Sequence, residues 1–251
     1  MKSIQLGGYN QLALVTTINF DKVITIGDPI SQAKIFEAQA ADELIFLDLD
    51  ARNDNRNPII EIIREASEEI FMPFTVGGGV NNLEDFRLLL SNGADKISIN
   101  TSAVENPELI IEAAKVFGSS TVVVSIDYRY EDDGNPLVYT NGGNNKTNLS
   151  PIKWAIECEK LGAGEILLTC IDLDGTSKGL DNKLTNEVVC SVSIPVITSG
   201  GCGLASHFSD GFIDGNADAV SAGTYFSFKD QNPMQTRSHI RNSGIPIRFH
   251  N

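Results

Sequence analysis

Carboxylates close several of the apolar runs in this sequence and could supply acid–base chemistry. Asp127 directly follows the run at residues 122–126, Asp174 lies shortly after a second run, and Asp48 and Asp50 close a third. A carboxylate at the edge of a low-dielectric pocket can act as a general acid or base. Aspartates in such positions also cap helices or bind the backbone of a loop. We favour chemistry for Asp127, and both explanations stay open for Asp48 and Asp50.

Two glycine clusters, each with polar residues that follow it, form a second candidate site. Glycine N–H groups can approach an anion closely, hydroxyls donate hydrogen bonds, and a helix N-terminus adds a favourable dipole. Tight turns also need glycine, but the duplication favours two phosphate sites and hence a small-molecule substrate with two phosphates or two anionic ends. The residues concerned are Gly79, Asn100 and Thr101 in the first half of the chain and Gly200, Gly201, Gly223 and Thr224 in the second.

Charged residues at the starts of apolar runs form a third set. Glu43, Lys96 and Glu165 each immediately precede such a run. If these runs are strands of one barrel, the three side chains could form ion pairs across its floor. From spacing alone, however, ordinary solvated charges at strand starts are the preferred explanation.

Alternating strands and helices must position these residues. Runs rich in β-branched residues predict strands at residues 12–17, 44–49, 74–76, 96–99, 121–127, 166–170, 195–198 and 218–222. Amphipathic segments predict helices at residues 29–40, 58–69, 83–91, 107–117, 151–161, 183–190, 204–213 and 233–242. This count is typical of an α/β fold, a single (β/α)8 TIM barrel with its active site at the carboxyl ends of the strands. A doubly wound open sheet is the alternative, but it is usually shorter or carries a second domain.

An internal repeat supports the barrel. Residues 72–79 resemble residues 194–201, and Phe86 and Phe208 continue the match at the same offset. The same β-α-β module therefore occurs twice, as strands 3–4 and 7–8. We predict two fused half-barrels in one domain spanning residues 1–251.

Composition narrows the functional classes. The chain has 251 residues, with 33 Asp and Glu against 19 Lys and Arg, giving a net charge of -14. This balance argues against nucleic-acid binding, because phosphate backbones attract basic surfaces. Apolar runs are too short for a membrane span, and the N-terminus lacks the features of a secretory signal. The 4 cysteines lack metal-ligand spacing, which predicts free thiols in the cytoplasm and neither a metal nor a cofactor.

Long motifs in the chain closely resemble the cyclase subunit of imidazole glycerol phosphate synthase, the HisF family. The matching segments are residues 27–29, 42–48, 73–79, 93–107, 162–169 and 172–176. The resemblance implies a (β/α)8 barrel that binds a ribulose-type substrate with two phosphates. It also implies a separate HisH-like glutaminase subunit at the barrel floor, whose ammonia travels through the barrel to the mouth. There, ring closure and lyase cleavage give imidazole glycerol phosphate and an aminoimidazole carboxamide ribotide.

The resemblance also assigns roles to individual residues. Catalysis falls on Asp127, and docking of the glutaminase falls on Asp95. The positions that bind substrate and its phosphates are Gly79, Asn100, Thr101, Asp174, Gly175, Gly200, Gly201, Gly223 and Thr224. The charged gate at the ammonia entrance falls on Lys2, Glu43, Lys96 and Glu165, which makes the floor ion pairs the preferred explanation for these charges.

One departure from the family pattern changes the expected function. The family has a second catalytic Asp at the end of strand 1, where this chain has Gly8, and the family's loop-1 Lys is replaced by Thr16. Loss of one member of an acid–base pair costs about 10²- to 10⁴-fold in rate. The pattern resembles paralogues that supply ammonia to a sugar amidotransferase in surface-polysaccharide synthesis. A true cyclase of histidine biosynthesis and a non-catalytic phosphate-binding scaffold are the alternatives.

Overall fold

The computed structural model describes residues 2–7, 11–49 and 57–248, and it describes side chains at residues 13–49 and 59–248. Eight of its strands form one parallel array, each hydrogen-bonded to the next along the chain. With strands numbered in chain order, these are β1 (Lys2–Gly7), β4 (Leu44–Asp48), β5 (Phe74–Gly77), β6 (Lys96–Ile99), β7 (Val122–Tyr130), β10 (Glu165–Cys170), β11 (Val196–Ser199) and β12 (Ala219–Val220).

Helices follow the parallel strands and cover them from outside. They are α1 (Pro29–Ala38), α2 (Asn57–Glu69), α3 (Leu83–Ser91), α4 (Thr101–Glu105), α5 (Glu108–Phe117), α6 (Pro151–Leu161), α7 (Asn182–Val189), α8 (Ala205–Ile213), α9 (Thr224–Phe228) and α10 (Pro233–Asn242). Sequence signals explain where several of these helices begin. The Asp28 carboxylate accepts a hydrogen bond from Ser31 N at the start of α1, and Pro29 occupies its first turn. Asn232 and Gln235 form a capping box on α10.

The curved sheet encloses a small apolar interior, which confirms the predicted barrel. Ile45, Val123, Leu167 and Ile197 come from strands β4, β7, β10 and β11, yet they form one buried cluster. Because side chains alternate across a strand, the neighbouring residues face outward and pack against the helices. The last helix also contacts the loop between α1 and β4, since the Arg237 guanidinium on α10 donates to the Asp42 carboxylate at 2.9 Å.

The first barrel strand was predicted wrongly. Residues 12–17 do form a strand, β2 (Gln11–Ile18), but it pairs antiparallel with both β1 and β3 (Lys22–Gly27). The strand that pairs parallel with β4 is β1. The segment at residues 12–17 is richer in β-branched residues than β1, which drew the prediction to it. Strands β2 and β3 instead form a hairpin that rises from the mouth after β1.

A second hairpin follows the fifth parallel strand. Residues 131–148 read as a polar excursion, but β7 continues past the barrel and pairs antiparallel with β8 (Pro136–Thr140), which in turn pairs with β9 (Asn145–Lys146). The two hairpins therefore follow equivalent strands of the two halves, the first and the fifth.

The predicted duplication is visible in atomic detail. Asp95 accepts a hydrogen bond from Phe74 N at 2.8 Å in the first half, and Asp218 accepts one from Val196 N at 2.9 Å in the second. Each aspartate thus ties the start of one strand to the next strand in the ring. The same backbone arrangement at equivalent positions is what two fused half-barrels require.

Two further findings concern the cysteines and the possibility of a membrane span. All four cysteines are free thiols, of which only Cys190 is exposed. Among the described residues, no helix has the length and apolar character needed to cross a bilayer.

Candidate functional site

Asp127 lies in β7 where this strand leaves the barrel, paired with Thr169 near the carboxyl end of β10, and it faces the barrel mouth. Its carboxylate accepts hydrogen bonds from Ser125 Oγ at 3.1 Å and from Asn100 Nδ2 at 3.2 Å. Burial raises the pKa of Asp127 to about 7, the Ser125 hydroxyl opposes the rise, and the nearby Asp174 carboxylate adds to it. A carboxyl group with a pKa near neutrality can both take up and release a proton, as a general acid or base must.

Asp174 is the second carboxyl group at the mouth. Its Oδ2 accepts a hydrogen bond from Thr17 Oγ1 at 2.6 Å, and its backbone carbonyl accepts one from Asn19 N at 2.9 Å. Burial raises the pKa of Asp174 to about 6, although the Thr17 hydroxyl lowers it. The β2–β3 hairpin therefore holds this carboxylate in place.

The predicted phosphate site of the first half is in contact with the β8–β9 hairpin. Thr101 Oγ1 accepts a hydrogen bond from Asn141 N at 2.9 Å, and Asn100 Nδ2 lies 3.3 Å from the carbonyl of Tyr139. Gly79 has a φ of +60°, in the left-handed region that favours glycine. Asn100 and Thr101, which were chosen from the sequence, lie together here. The β8–β9 hairpin already uses part of their hydrogen-bonding capacity.

The predicted phosphate residues of the second half come together around one small pocket. Its lining includes Asp174, Gly175, Gly200, Gly201, Gly223 and Thr224. The cavity volume is only about 20 Å³, which is enough for a single water molecule and too small for a phosphate group. The β2–β3 hairpin fills the remaining space, because Thr16 Oγ1 lies 2.8 Å from Thr224 Oγ1.

Three of the four predicted gate residues meet at the barrel floor, the end of the barrel opposite the mouth. Lys96 Nζ lies 2.8 Å from Glu43 Oε1 and 3.0 Å from Glu165 Oε2, and the Lys96 and Glu165 side chains are 20% and 14% exposed. Burial lowers the pKa of Lys96, but hydrogen bonds to the two glutamates outweigh it and raise the pKa overall. Burial raises the pKa of Glu165, while Lys96 opposes the rise. The side chain of Lys2 lies outside the described residues.

Asp95, the predicted docking residue, is exposed on the same floor. One carboxylate oxygen is bound to Phe74 N, as described above, which leaves the other oxygen facing solvent. The same backbone contact at Asp218 shows that a structural role accounts for at least part of what Asp95 does.

Comparison with known proteins places these features in a family. The family model described as "Histidine biosynthesis protein" matches residues 9–232. Over 236 residues, the chain is 50% identical to a Prochlorococcus marinus protein provisionally named imidazole glycerol phosphate synthase subunit hisF2, covering 94% of this chain and 90% of that protein. It is 45% identical to the imidazole glycerol phosphate synthase subunit HisF of Clostridium botulinum strain Okra, covering 94% of both chains. The chain belongs to the HisF family.

Gly8, where the sequence indicates a departure from the family pattern, lies outside the described residues, as does Asp50. Within the described part of the chain, no cluster of three or more His, Cys, Asp or Glu side chains could hold a metal ion. Asp127 and Asp174 are two described carboxyl groups at the mouth whose pKa burial raises; Asp48, which closes β4, lies at the same end of the barrel.

Sequence reasoning missed several residues of the site. Ser125 lies two positions before Asp127, so strand alternation could have placed both on the inner face. The same argument could have identified Thr169, because it pairs with Asp127 in the β7–β10 register. Its hydroxyl is buried and lowers the pKa of Asp127. For Thr17 and Asn141 no sequence signal existed, since both act from the hairpins.

Proposed function

We propose that this HisF-family chain is the ammonia-conducting subunit of a cytoplasmic glutamine amidotransferase complex. A HisH-like glutaminase would bind at the floor and release ammonia beneath Lys96, and the ammonia would leave at the mouth. The acceptor would be a sugar bound by a separate amidotransferase. The observation that carries the proposal is the combination of an intact Lys96–Glu43–Glu165 cluster at the floor with a sequence that has Gly8 in place of the strand-1 carboxylate.

The barrel interior suits a small polar guest. Buried hydroxyls face inward from successive strands, because they alternate with the residues that pack against the helices. One of them, Ser221 Oγ, has no hydrogen-bond partner among the described residues. A buried polar group without a partner is unfavourable, so it would gain from an ammonia or water molecule inside. The inward hydroxyls are those of Thr75, Ser98, Ser125, Thr169 and Ser221.

The mouth supports a second candidate function, that of a true cyclase. Asp127 and Asp174 both have pKa values near neutrality, so together they could replace the carboxylate pair of the family. In that case the phosphate-bearing ribulose substrate would bind between the two glycine clusters, after the β2–β3 hairpin had moved away from Thr224. The names of the Clostridium botulinum relatives favour this candidate.

One set of measurements separates the candidates. The purified chain is assayed with the phosphoribulosyl aminoimidazole carboxamide substrate at high ammonia concentration, with and without the glutaminase from its own source organism. The ammonia-supply proposal predicts stimulated glutamine hydrolysis but no conversion of the ribulose substrate. Conversion by the unmodified chain would establish the cyclase instead. If the glutaminase neither binds nor is stimulated and the ribulose substrate is not converted, both proposals fail and the non-catalytic scaffold remains.

The variant Gly8→Asp provides the internal comparison. If the missing carboxylate alone prevents ring closure, this variant should gain turnover of the ribulose substrate. Gly7→Asp, one position earlier, is the matched control, because it adds the same charge one residue away in the sequence.

A further inference from the structure

Phe71 is the most exposed large hydrophobic side chain among the described residues, at 91% of its possible surface. It lies in the loop before β5, at the barrel floor. Single exposed apolar residues are common, but a fully exposed phenyl ring is unfavourable in water. A partner that covered the ring would remove about 100 to 200 Å² of apolar surface from water.

The backbone around Phe71 is fixed. The Glu37 carboxylate on α1 accepts hydrogen bonds from both Phe71 N at 3.0 Å and Met72 N at 3.1 Å. On either side, Ile70 and Met72 are buried. The ring is therefore presented from a rigid loop and has only two side-chain torsions, so little conformational entropy is lost when a partner orders it.

Acidic residues flank Phe71 on the floor. Strands β4 and β6 are the neighbours of β5, and the loops before them carry Asp42, Glu43 and Asp95, all exposed. Two cations of these loops and their neighbours are already engaged, because Lys96 contacts Glu43 and Glu165, and Arg237 contacts Asp42. A hydrophobic anchor with an acidic rim fits a partner that offers an apolar pocket bordered by Lys or Arg.

We infer that Phe71 is the aromatic anchor by which the glutaminase subunit docks on this chain. The inference rests on the proposed function and deepens it. Ammonia that enters beneath Lys96 is retained only if the partner seals the floor against water. A large apolar side chain next to the entrance, inserted into a pocket of the partner, provides such a seal. Aromatic anchors of this kind dominate the binding energy of many interfaces.

The test compares Phe71→Ser with Phe228→Ser. Phe228 is also an exposed phenylalanine, 52% exposed, but it lies at the end of α9 on the mouth side of the barrel. Binding of each variant to the glutaminase from the same source organism is measured by isothermal titration calorimetry, together with the stimulation of glutamine hydrolysis. We expect Phe71→Ser to raise Kd by about 30-fold or more and Phe228→Ser to change it by less than twofold. Phe71→Trp should retain binding within a few fold.

The outcomes distinguish this inference from the proposed function. If the unmodified chain binds and stimulates the glutaminase but Phe71→Ser binds within threefold of it, the proposed function stands and the anchor is refuted. If the unmodified chain does not bind, both are refuted. If sedimentation shows that the chain alone dimerises and that Phe71→Ser abolishes the dimer, the anchor belongs to a second copy and the inference is overturned. Circular dichroism and Tm of each variant verify folding, which an exposed site should not affect.

Discussion

The hydroxyl groups of Thr16 and Thr224 lie 2.8 Å apart, although the two residues are 208 positions apart in the chain. This contact joins the β2–β3 hairpin to the start of α9, the helix that follows β12. A related contact occurs in the first half, where Asn141 N donates to Thr101 Oγ1 at 2.9 Å. In each half, the hydroxyl chosen as a phosphate ligand is thus bound by the hairpin that follows the next strand of the ring. An anion at either site must compete with that hairpin.

The first prediction concerns this competition. Thr16→Val keeps the shape of the side chain but removes its hydroxyl, so the Thr224 hydroxyl becomes available. Because a hydrogen bond contributes about 0.5 to 1.5 kcal/mol net, we expect inorganic phosphate to bind about 2- to 10-fold more tightly, as measured by isothermal titration calorimetry. Thr25→Val is the control, since Thr25 is exposed on the same hairpin. Equal phosphate affinity in both variants would contradict the idea that the hairpin competes for the site.

Much of the barrel could be predicted from the sequence, for identifiable reasons. Strand β4 contains the apolar run 44–47 and strand β10 the apolar run 166–168, and Asp28 with Pro29 gives both the start of α1 and its cap. The first strand was missed because Lys2–Gly7 has only two large apolar residues, Ile4 and Leu6, whereas the hairpin strand Gln11–Ile18 carries the stronger strand signal. Local propensity cannot distinguish a barrel strand from a hairpin strand, since only pairing direction separates them.

The sequence indicated residues of the candidate site, but it could not indicate that the second pocket is closed. Alternation and the repeat identified Asp127, Asn100 and Thr101, and the structure brings them together. The closed state of the second pocket depends on Thr16 and on the position of its hairpin. Such contacts form between segments far apart in the chain, where spacing carries no information.

The second prediction concerns pH and Asp127. Its folded-state pKa, about 7, lies above the value of about 3.9 in an unfolded chain. The folded state therefore binds a proton more tightly, and the free energy of unfolding falls as pH rises from about 4 to 7. Asp127→Asn removes this dependence. We expect it to stabilise the protein at pH 8 by about 1 to 4 kcal/mol and to have little effect at pH 4, as measured by urea unfolding.

The control for that measurement is Asp230→Asn, a surface substitution. It should change the unfolding free energy by less than about 0.5 kcal/mol at either pH. A destabilised Asp127→Asn at pH 8 would show that the carboxylate is structural and that burial does not disfavour its charge.

The third prediction concerns the close approach of glycine to neighbouring backbone. Gly200 has a φ of +89°, and a Cβ there would lie 2.5 Å from the carbonyl oxygen of Cys170. Gly134 has a similar φ of +81° but no atom within 4 Å of a Cβ. Gly134→Ala should therefore cost about 1 kcal/mol from backbone strain alone. Gly200→Ala should cost at least about 2 kcal/mol more because the backbone must move. Similar losses in thermal unfolding would refute the close-packing explanation.

The last prediction concerns the charge cluster on the barrel floor. Lys96→Met removes the cation that both Glu43 and Glu165 contact. Because the Glu165 side chain is largely buried, its charge then lacks the compensation that Lys96 supplies, and we expect a loss of about 1 to 3 kcal/mol at pH 8. The loss should shrink toward pH 5, since burial already raises the pKa of Glu165 and protonation relieves the charge. The double variant Lys96→Met/Glu165→Gln should regain part of the loss, and together with the single variant Glu165→Gln it completes a double-mutant cycle that measures the coupling. If the cycle gives a coupling energy near zero, the two residues are not coupled, and Lys96 contributes mainly through its packing.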